Sequence, residues 1–206
     1  MKFTICDEDK VFPYLMIDDF YSKKEQKLIW KELISHKNNF KEDQRPVGQG
    51  VARDKDGKSI SNSKRLYLDE MYGDNRQDSN ILNFYTKIIS PEVKEAYRYT
   101  TPSWRLFEIT NYDCSQVSYY ENEGDYKEHF DKFMHTCLIW FYKEPKRFTG
   151  GDLTFTQSKK IVECKHNRMI LFPSYYLHAV DEVSMEYKYR GKGLGRYCLT
   201  HFYNKG

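Results

Sequence analysis

The sequence has few features of a membrane, secreted or disulfide-stabilised protein. Its five cysteines are odd in number, widely spaced and without a CxxC pair, so they fit neither a disulfide framework nor a zinc knuckle. The longest stretch without Lys, Arg, Asp or Glu, Met169 to Val180, has 12 residues, whereas a membrane-spanning helix needs about 20. The opening MKFTICDEDK lacks the apolar run of a signal peptide. We therefore expect a cytoplasmic protein with reduced thiols, no signal peptide and no membrane partner.

A strong charge of one sign is also missing. The net charge of +3 results from 33 basic and 30 acidic side chains, and this near balance gives no overall reason to expect a nucleic-acid partner. Aromatic side chains, by contrast, are abundant: 34 of the 206 residues are Tyr, Phe or Trp. This content is too high for a disordered chain, and the length suits one globular domain with a sizeable core.

The first hundred residues combine helical patterns with a charged loop. The apolar run at 11–20 predicts a short strand, and Ser22 with Glu25 forms a capping-box signature for a helix over 23–36. A second helical pattern covers 78–89 and restarts after Pro91. Between them, residues 37–65 have no apolar periodicity and carry eight Lys or Arg against four Asp or Glu. We expect a mobile loop there, either solvated or acting as a lid that contacts substrate.

After residue 100, short β-rich runs replace the helical spacing. One run, 104–112, is a strand candidate outside the main count. Eight further runs have strand patterns: 116–121, 126–131, 136–142, 152–155, 160–164, 168–172, 177–183 and 196–203. Eight short antiparallel strands predict a mainly β (α+β) fold, a cupin-like jelly roll or double-stranded β-helix, with N-terminal supporting helices on one outer face. We expect one domain over 1–206, with support in 1–100 and a jelly-roll core in 104–204.

Three residues have the character of metal ligands. In EHFDKF, His129 and Asp131 are two positions apart, so in a strand they point to the same face. A metal ion would compensate the cost of burying these polar groups. His178, about fifty residues further on, could supply a third ligand from another strand. Two histidines and one carboxylate that leave open coordination positions are typical of non-haem Fe(II) oxygenases.

Arg196 suggests a second part of the same site. It opens the strand GRYCLTHFY, where Cys198, Thr200 and Phe202 share the inward face. A buried guanidinium requires an anionic partner, and its planar fork fits a carboxylate. No acidic residue lies nearby in this strand, so we expect a small molecule with a carboxylate to take that place.

These motifs together resemble the 2-oxoglutarate and Fe(II)-dependent dioxygenases, and within them the prolyl 4-hydroxylase-like branch. The resemblance covers about residues 104–204 and, more faintly, LMIDDFYSKKEQ. The matching residues, in order, are Tyr120, Tyr126, His129, Asp131, Gly150, Gly151, Leu153, His178 and Arg196.

The resemblance implies that His129, Asp131 and His178 bind Fe(II) and that Arg196 pairs with the distal carboxylate of 2-oxoglutarate. Tyr120 and Thr200 are then expected to hydrogen-bond the cosubstrate. It further implies an O2-consuming oxidoreductase in which 2-oxoglutarate becomes succinate while a C–H bond is hydroxylated, with ascorbate in a supporting role. A prolyl residue of a protein or peptide is the expected target.

Two departures from the family pattern keep alternatives open. TCLIWFY offers Cys137 and Phe141 where relatives often present hydroxyl groups to the oxoacid, and 17 residues separate His178 from Arg196. The basic loop 37–65 and the aromatic side chains are also compatible with an oxygenase that acts on nucleic acid or a free small molecule. The missing hydroxyls leave room for an inactive metal-binding jelly-roll module. The sequence does not indicate the oligomeric state.

Overall fold

Short helices cover one side of the protein. The computed structural model describes residues 1–46 and 49–206, so Val47 and Gly48 of the predicted loop lie outside the described residues. The helices are α1 (Lys23–Ser35), α2 (Leu68–Tyr72), α3 (Asn80–Asn83), α4 (Pro91–Arg98) and α5 (Trp104–Glu108). The predicted capping box starts α1: the amide of Glu25 donates to Ser22 Oγ, and the amide of Ser22 donates to a Glu25 carboxylate oxygen. Every helix in the described part of the chain is too short or too polar to cross a bilayer.

The rest of the described chain is dominated by β-structure. Its strands are β1 (Lys2–Cys6), β2 (Tyr14–Asp18), β3 (Lys41–Glu42), β4 (Lys64–Tyr67), β5 (Tyr112–Tyr120), β6 (Tyr126–His129), β7 (His135–Phe141), β8 (Leu153–Phe155), β9 (Lys160–Val162), β10 (Met169–Pro173), β11 (His178–Val180) and β12 (Arg196–Asn204). Each of the eight runs counted as strands corresponds to one of these elements.

The strands form two antiparallel sheets. The large sheet has the order β1-β2-β10-β7-β12-β5-β4-β3, and the small one has the order β6-β11-β8-β9. This arrangement confirms the predicted jelly-roll type of fold. The N-terminal part also supplies four strands of the large sheet. Two of these strands, β3 and β4, pair with each other, and β4 also pairs with β5. The segment from the start of β3 to the end of β4, 41–67, contains most of the predicted loop.

Two hydrophobic cores lie on opposite faces of the large sheet. One packs the sheet against α1, α3 and α4 through residues such as Ile29, Val93 and Ile139. The other fills the space between the two sheets and includes Trp140 and Phe172. Both faces of the large sheet are therefore buried, and the second core forms the walls of the cavity described below.

Two helix or strand predictions are wrong in detail. Residues 104–112 do not begin as a strand, because Trp104–Glu108 form α5, which buries Phe107 against Tyr97 at 5.5 Å between ring centroids. The pattern over 78–89 is not one helix but α3 followed by a 3₁₀ turn, Phe84–Lys87. In both places a short apolar run is compatible with more than one periodicity, and tertiary packing decides between them.

Candidate active site

The structure brings the three predicted metal ligands together at one end of the small sheet. His129 ends β6 and His178 begins β11, and the two are directly paired in register. Asp131 lies two residues beyond the end of β6 rather than in the predicted strand. The Nε2 atoms of His129 and His178 are 3.8 and 3.6 Å from the Asp131 carboxylate oxygens, and one ligand atom from each residue lies within 4.8 Å of the others.

Hydrogen bonds fix which nitrogen of each imidazole faces the site. The Nδ1 atoms of His129 and His178 lie 2.8 Å from the backbone carbonyls of Lys127 and Tyr176. A carbonyl only accepts hydrogen bonds, so each Nδ1 carries the proton and donates it. The lone pair of each Nε2 is then directed at the space beside Asp131. Metal-binding histidines commonly donate their other ring N–H to a backbone carbonyl in this way.

Hydrogen bonds hold the carboxylate of Asp131 in position. Thr136 Oγ1 donates to Asp131 Oδ2 at 2.7 Å and is itself 2.7 Å from Ser174 Oγ. Burial, together with the neighbouring His178, lowers the pKa of His129 to about 4. His129 is therefore neutral at physiological pH, the form in which an imidazole binds metal.

This donor set fits Fe(II). Two neutral imidazoles and one carboxylate supply the ligands of a facial 2-His-1-carboxylate site, with the remaining coordination positions left for other molecules. Among the described residues, no other group of His, Cys, Asp and Glu has metal-ligand geometry. The triad borders a cavity that Tyr120, Arg196 and Thr200 also line.

Arg196 lines the same cavity and lacks the partner its charge requires. Its side chain is fully buried, and none of its three guanidinium nitrogens has a hydrogen-bond partner among the described residues. The guanidinium lies 4.7 Å from the ring centroid of Tyr120, the residue paired with it on β5. An unpaired buried guanidinium is costly, so these donors fit the distal carboxylate of 2-oxoglutarate.

Gly151, the second of two consecutive glycines, leaves space for the side chain of Arg196. Gly151 has a positive φ of 73°, and a Cβ atom there would lie 2.8 Å from Cδ of Arg196. Glycine is therefore required at Gly151 both by the backbone and by the packing.

Tyr120 and Thr200, the other predicted cosubstrate residues, both line the cavity and are buried. Burial raises the pKa of Tyr120, although the charges of Arg65 and Arg196 oppose this. The phenol of Tyr120 is thus protonated at neutral pH and can donate a hydrogen bond. The structure does not test the role of either residue, which remains a prediction.

The prediction that β7 presents Cys137 and Phe141 to the cavity is wrong. Both lie in the core against the helices, whereas Leu138 and Trp140 point between the sheets. Every residue of β7 is buried, so the sequence shows no alternation from which the inward face can be identified. Trp140 is a candidate that the sequence reasoning missed. Its indole Nε1 is buried with no partner in the part of the chain that the structure describes, and its ring lies 5.8 Å from the Arg196 guanidinium carbon.

Part of the charged loop reaches the cavity. Gly50 lines it, and the neighbouring Val51 is buried in the core between the sheets. The amide of Val51 donates to Asp43 at 3.0 Å, and the amide of Ala52 donates to the hydroxyl of Tyr126 at 2.8 Å. These contacts place the loop beside the triad, as the lid alternative requires; its mobility remains a prediction.

Comparisons with known proteins agree with this geometry. A family model described as the 2OG-Fe(II) oxygenase superfamily matches residues 115–204, a segment that contains His129, Asp131, His178 and Arg196. No curated protein matches the chain.

Solved structures of prolyl hydroxylases are similar in fold. A prolyl-4-hydroxylase from Pseudomonas putida has 15% identity and a TM-score of 0.63, with 98% of this chain and 97% of that chain covered. A prolyl hydroxylase from Trichoplax adhaerens, in complex with a hypoxia-inducible-factor peptide fragment, has 14% identity and a TM-score of 0.61, with coverages of 93% and 83%. The viral collagen prolyl hydroxylase of Paramecium bursaria Chlorella virus-1, in its 2OG complex, has 16% identity and a TM-score of 0.54, with coverages of 97% and 98%. At these identities the likeness establishes the fold.

Proposed function

We propose that this chain, in which residues 115–204 belong to the 2OG-Fe(II) oxygenase superfamily, hydroxylates a prolyl residue of a protein or peptide. The enzyme class is a 2-oxoglutarate- and Fe(II)-dependent dioxygenase, which uses Fe(II), 2-oxoglutarate and O2. The observation that carries the proposal is that an open 2-His-1-carboxylate triad and an unpartnered buried arginine face one cavity.

Each of these residues has a distinct task in this proposal. His129, Asp131 and His178 hold the metal, and Thr136 keeps the Asp131 carboxylate in place. Arg196 binds the distal carboxylate of 2-oxoglutarate, with Tyr120 and Thr200 as further hydrogen-bond partners. Bound iron and 2-oxoglutarate supply the oxygen activation that protein side chains lack, as 2-oxoglutarate is converted to succinate and CO2. The cavity walls exclude water from the reacting groups.

The prolyl substrate is supported by the solved structures of similar fold. The three described above are prolyl hydroxylases that align with more than 80% of both chains, and the one from Trichoplax adhaerens was solved with a peptide fragment. The fold alone does not identify a substrate, so this part of the proposal depends on direct assay.

The structure gives less support to a nucleic-acid substrate. That alternative was motivated by the excess of basic residues in 37–65. However, Arg45 forms an ion pair with Glu70, Arg53 lies 3.7 Å from Asp43, and Arg65 is buried in the cavity. Three of the eight basic side chains are therefore engaged within the protein and cannot form an exposed phosphate-binding surface.

The test is a turnover assay with matched substrates. Purified protein is supplied with Fe(II), ascorbate, 2-oxoglutarate and either proline-containing peptides, the same peptides with alanine in place of proline, or methylated oligonucleotides. Succinate release and a mass gain of one oxygen atom, both dependent on proline, are expected. Stimulation by oligonucleotides alone would contradict the prolyl assignment. Absence of succinate under every condition would favour an inactive metal-binding module. The Asp131→Ala variant serves as the control that measures background succinate release.

A further inference from the structure

A second arginine lies beside the triad, and neither the metal nor 2-oxoglutarate accounts for it. Arg65 is on β4, where it pairs in register with Ser118 of β5. Only 4% of its surface is exposed, and it lines the same cavity as Arg196. The two arginines reach this cavity from opposite sides of β5, because β4 and β12 flank that strand.

The guanidinium of Arg65 is positioned close to the metal ligands. Its central carbon lies 5.1 Å from the ring centroid of Tyr126, and the Tyr126 ring stacks on the His129 imidazole with 3.6 Å between centroids. Arg65 is thus one aromatic ring away from a metal ligand. Arg196, in contrast, contacts Tyr120 and Trp140.

Arg65 has almost no partners of its own. Its Nη2 donates one long hydrogen bond of 3.3 Å to Ser61 Oγ, and its Nε is buried with no partner among the residues that the structure describes. In the described ranges 1–46 and 49–206, no carboxylate lies within salt-bridge distance of it. Asp43, a buried carboxylate of the same loop, accepts from the hydroxyl of Tyr67 at 2.7 Å and lies 3.7 Å from Arg53.

The charges of the site leave Arg65 unbalanced. When Fe(II) and the 2-oxoglutarate dianion are bound, the charges of the metal, the dianion, Asp131 and Arg196 cancel. Arg65 then adds one positive charge among buried side chains, one aromatic ring away from a ligand of a metal that is itself positive. Burying an uncompensated charge is unfavourable, and a guanidinium fork is well suited to a carboxylate.

We propose that Arg65, with Ser61 beside it, forms a second anion subsite that binds a carboxylate of the substrate, so that the enzyme selects substrates with a carboxylate near the hydroxylated carbon. This inference rests on the proposed function and specifies its substrate class. The carboxylate has two possible sources, the C-terminus of a prolyl residue or an acidic side chain next to an internal proline. The recognition chemistry is the same for both.

The experiment compares carboxylates with their amides. Binding is measured by calorimetry on protein loaded with Mn(II) and 2-oxoglutarate under argon, so that no turnover occurs. One arm uses a short peptide that ends in proline, as the free acid and as the amide. The other arm uses an internal proline followed by Glu or by Gln. A third pair, N-acetylleucine and its amide, contains no proline.

Arg65→Met keeps most of the side-chain volume and removes the charge. The unmodified protein is expected to bind the free acid or the Glu peptide at least ~10-fold more tightly than its neutral partner, since a hydrogen bond to a charged group contributes about 1.5–3 kcal/mol. In Arg65→Met this preference disappears, whereas the affinity for 2-oxoglutarate changes less than ~3-fold. Arg65→Lys retains part of the preference. Arg168→Met, which removes an arginine paired with Asp18 away from the cavity, is the matched control.

Each outcome bears on the proposal. Equal binding of acid and amide in the unmodified protein would overturn it. Loss of 2-oxoglutarate affinity in Arg65→Met as large as in Arg196→Met would also overturn it, because Arg65 would then belong to the cosubstrate site. If neither prolyl pair binds but N-acetylleucine binds better than its amide, the prolyl substrate is wrong and the anion subsite stands.

Discussion

Replacement of Arg196 by methionine is the most direct test of the cosubstrate site. The arginine is buried and lines the cavity, and its three nitrogens have no partner in the described residues. A bidentate contact supplies two charge-assisted hydrogen bonds of about 1.5–3 kcal/mol each. Their loss corresponds to about 3–6 kcal/mol, so we expect the dissociation constant of 2-oxoglutarate to rise by a factor of roughly 10² to 10⁴.

The assay separates cosubstrate binding from metal binding. Calorimetric titration of the Mn(II)-loaded protein with 2-oxoglutarate under argon gives the cosubstrate affinity, and metal analysis after gel filtration gives the metal content. Methionine occupies a similar volume to the arginine stem, so the fold is expected to persist, and thermal unfolding checks this. Metal content should match that of the unmodified protein, because Arg196 is not a ligand. An affinity for 2-oxoglutarate within ~3-fold of the unmodified protein would place the dicarboxylate elsewhere and refute the reasoning.

Four further variants test the metal site, the missed tryptophan and the packing of β2. Asp131→Ala should abolish metal retention because it removes the anionic ligand of the triad. Thr136→Val keeps that ligand but removes the hydroxyl that bonds Asp131 and Ser174, and it should weaken metal affinity by roughly 10–100-fold. Trp140→Phe should weaken 2-oxoglutarate by ~10-fold or more through loss of a buried N–H donor, with unchanged metal content. Asp18 has a pKa lowered to about 2, chiefly by its hydrogen bonds to Arg168, so Asp18→Asn should lower the free energy of unfolding by about 1–2 kcal/mol at pH 7, after allowance for partial exposure.

Distinct results would contradict each expectation. Unchanged metal content in Asp131→Ala would remove that residue from the site. Unchanged cosubstrate affinity in Trp140→Phe would show that its N–H does not face the dicarboxylate. For Asp18, the depressed pKa means that the stabilisation is present above the unfolded-state pKa near 4 and is lost as the pH falls toward 2. Urea unfolding should therefore show a difference between the two proteins that shrinks below about pH 4; a difference independent of pH would refute the ionic origin.

Two features that sequence reasoning found depend on short spacing in the chain. Ser22 and Glu25 are three positions apart and form the capping box of α1. His129 and Asp131 are two positions apart and lie in the same site, although Asp131 follows the end of β6. Arg196 could be recognised because no acidic neighbour in its strand can neutralise it.

The residues that sequence reasoning missed depend on long-range packing. The inward face of β7 cannot be read from a strand that is buried on both sides, so Trp140 was overlooked in favour of Cys137. Arg65 lies in a charged stretch that reads as a loop, and only its pairing with Ser118, more than fifty positions later, brings it into the cavity. Helix α5 was mistaken for a strand because five residues are too few to separate the two periodicities.

The sequence by itself determined the kinds of groups available: two imidazoles, a carboxylate and a guanidinium in an order typical of Fe(II) oxygenases, on strands of predictable position. Only the tertiary structure decided which of these groups share one solvent-excluded space. Antiparallel register joins residues that are far apart in the chain, and burial then determines which charges are left without a partner. For Arg196 and Arg65, the absence of a carboxylate partner among the described residues is the basis of the proposed anion sites, and no local pattern in the sequence contains this information.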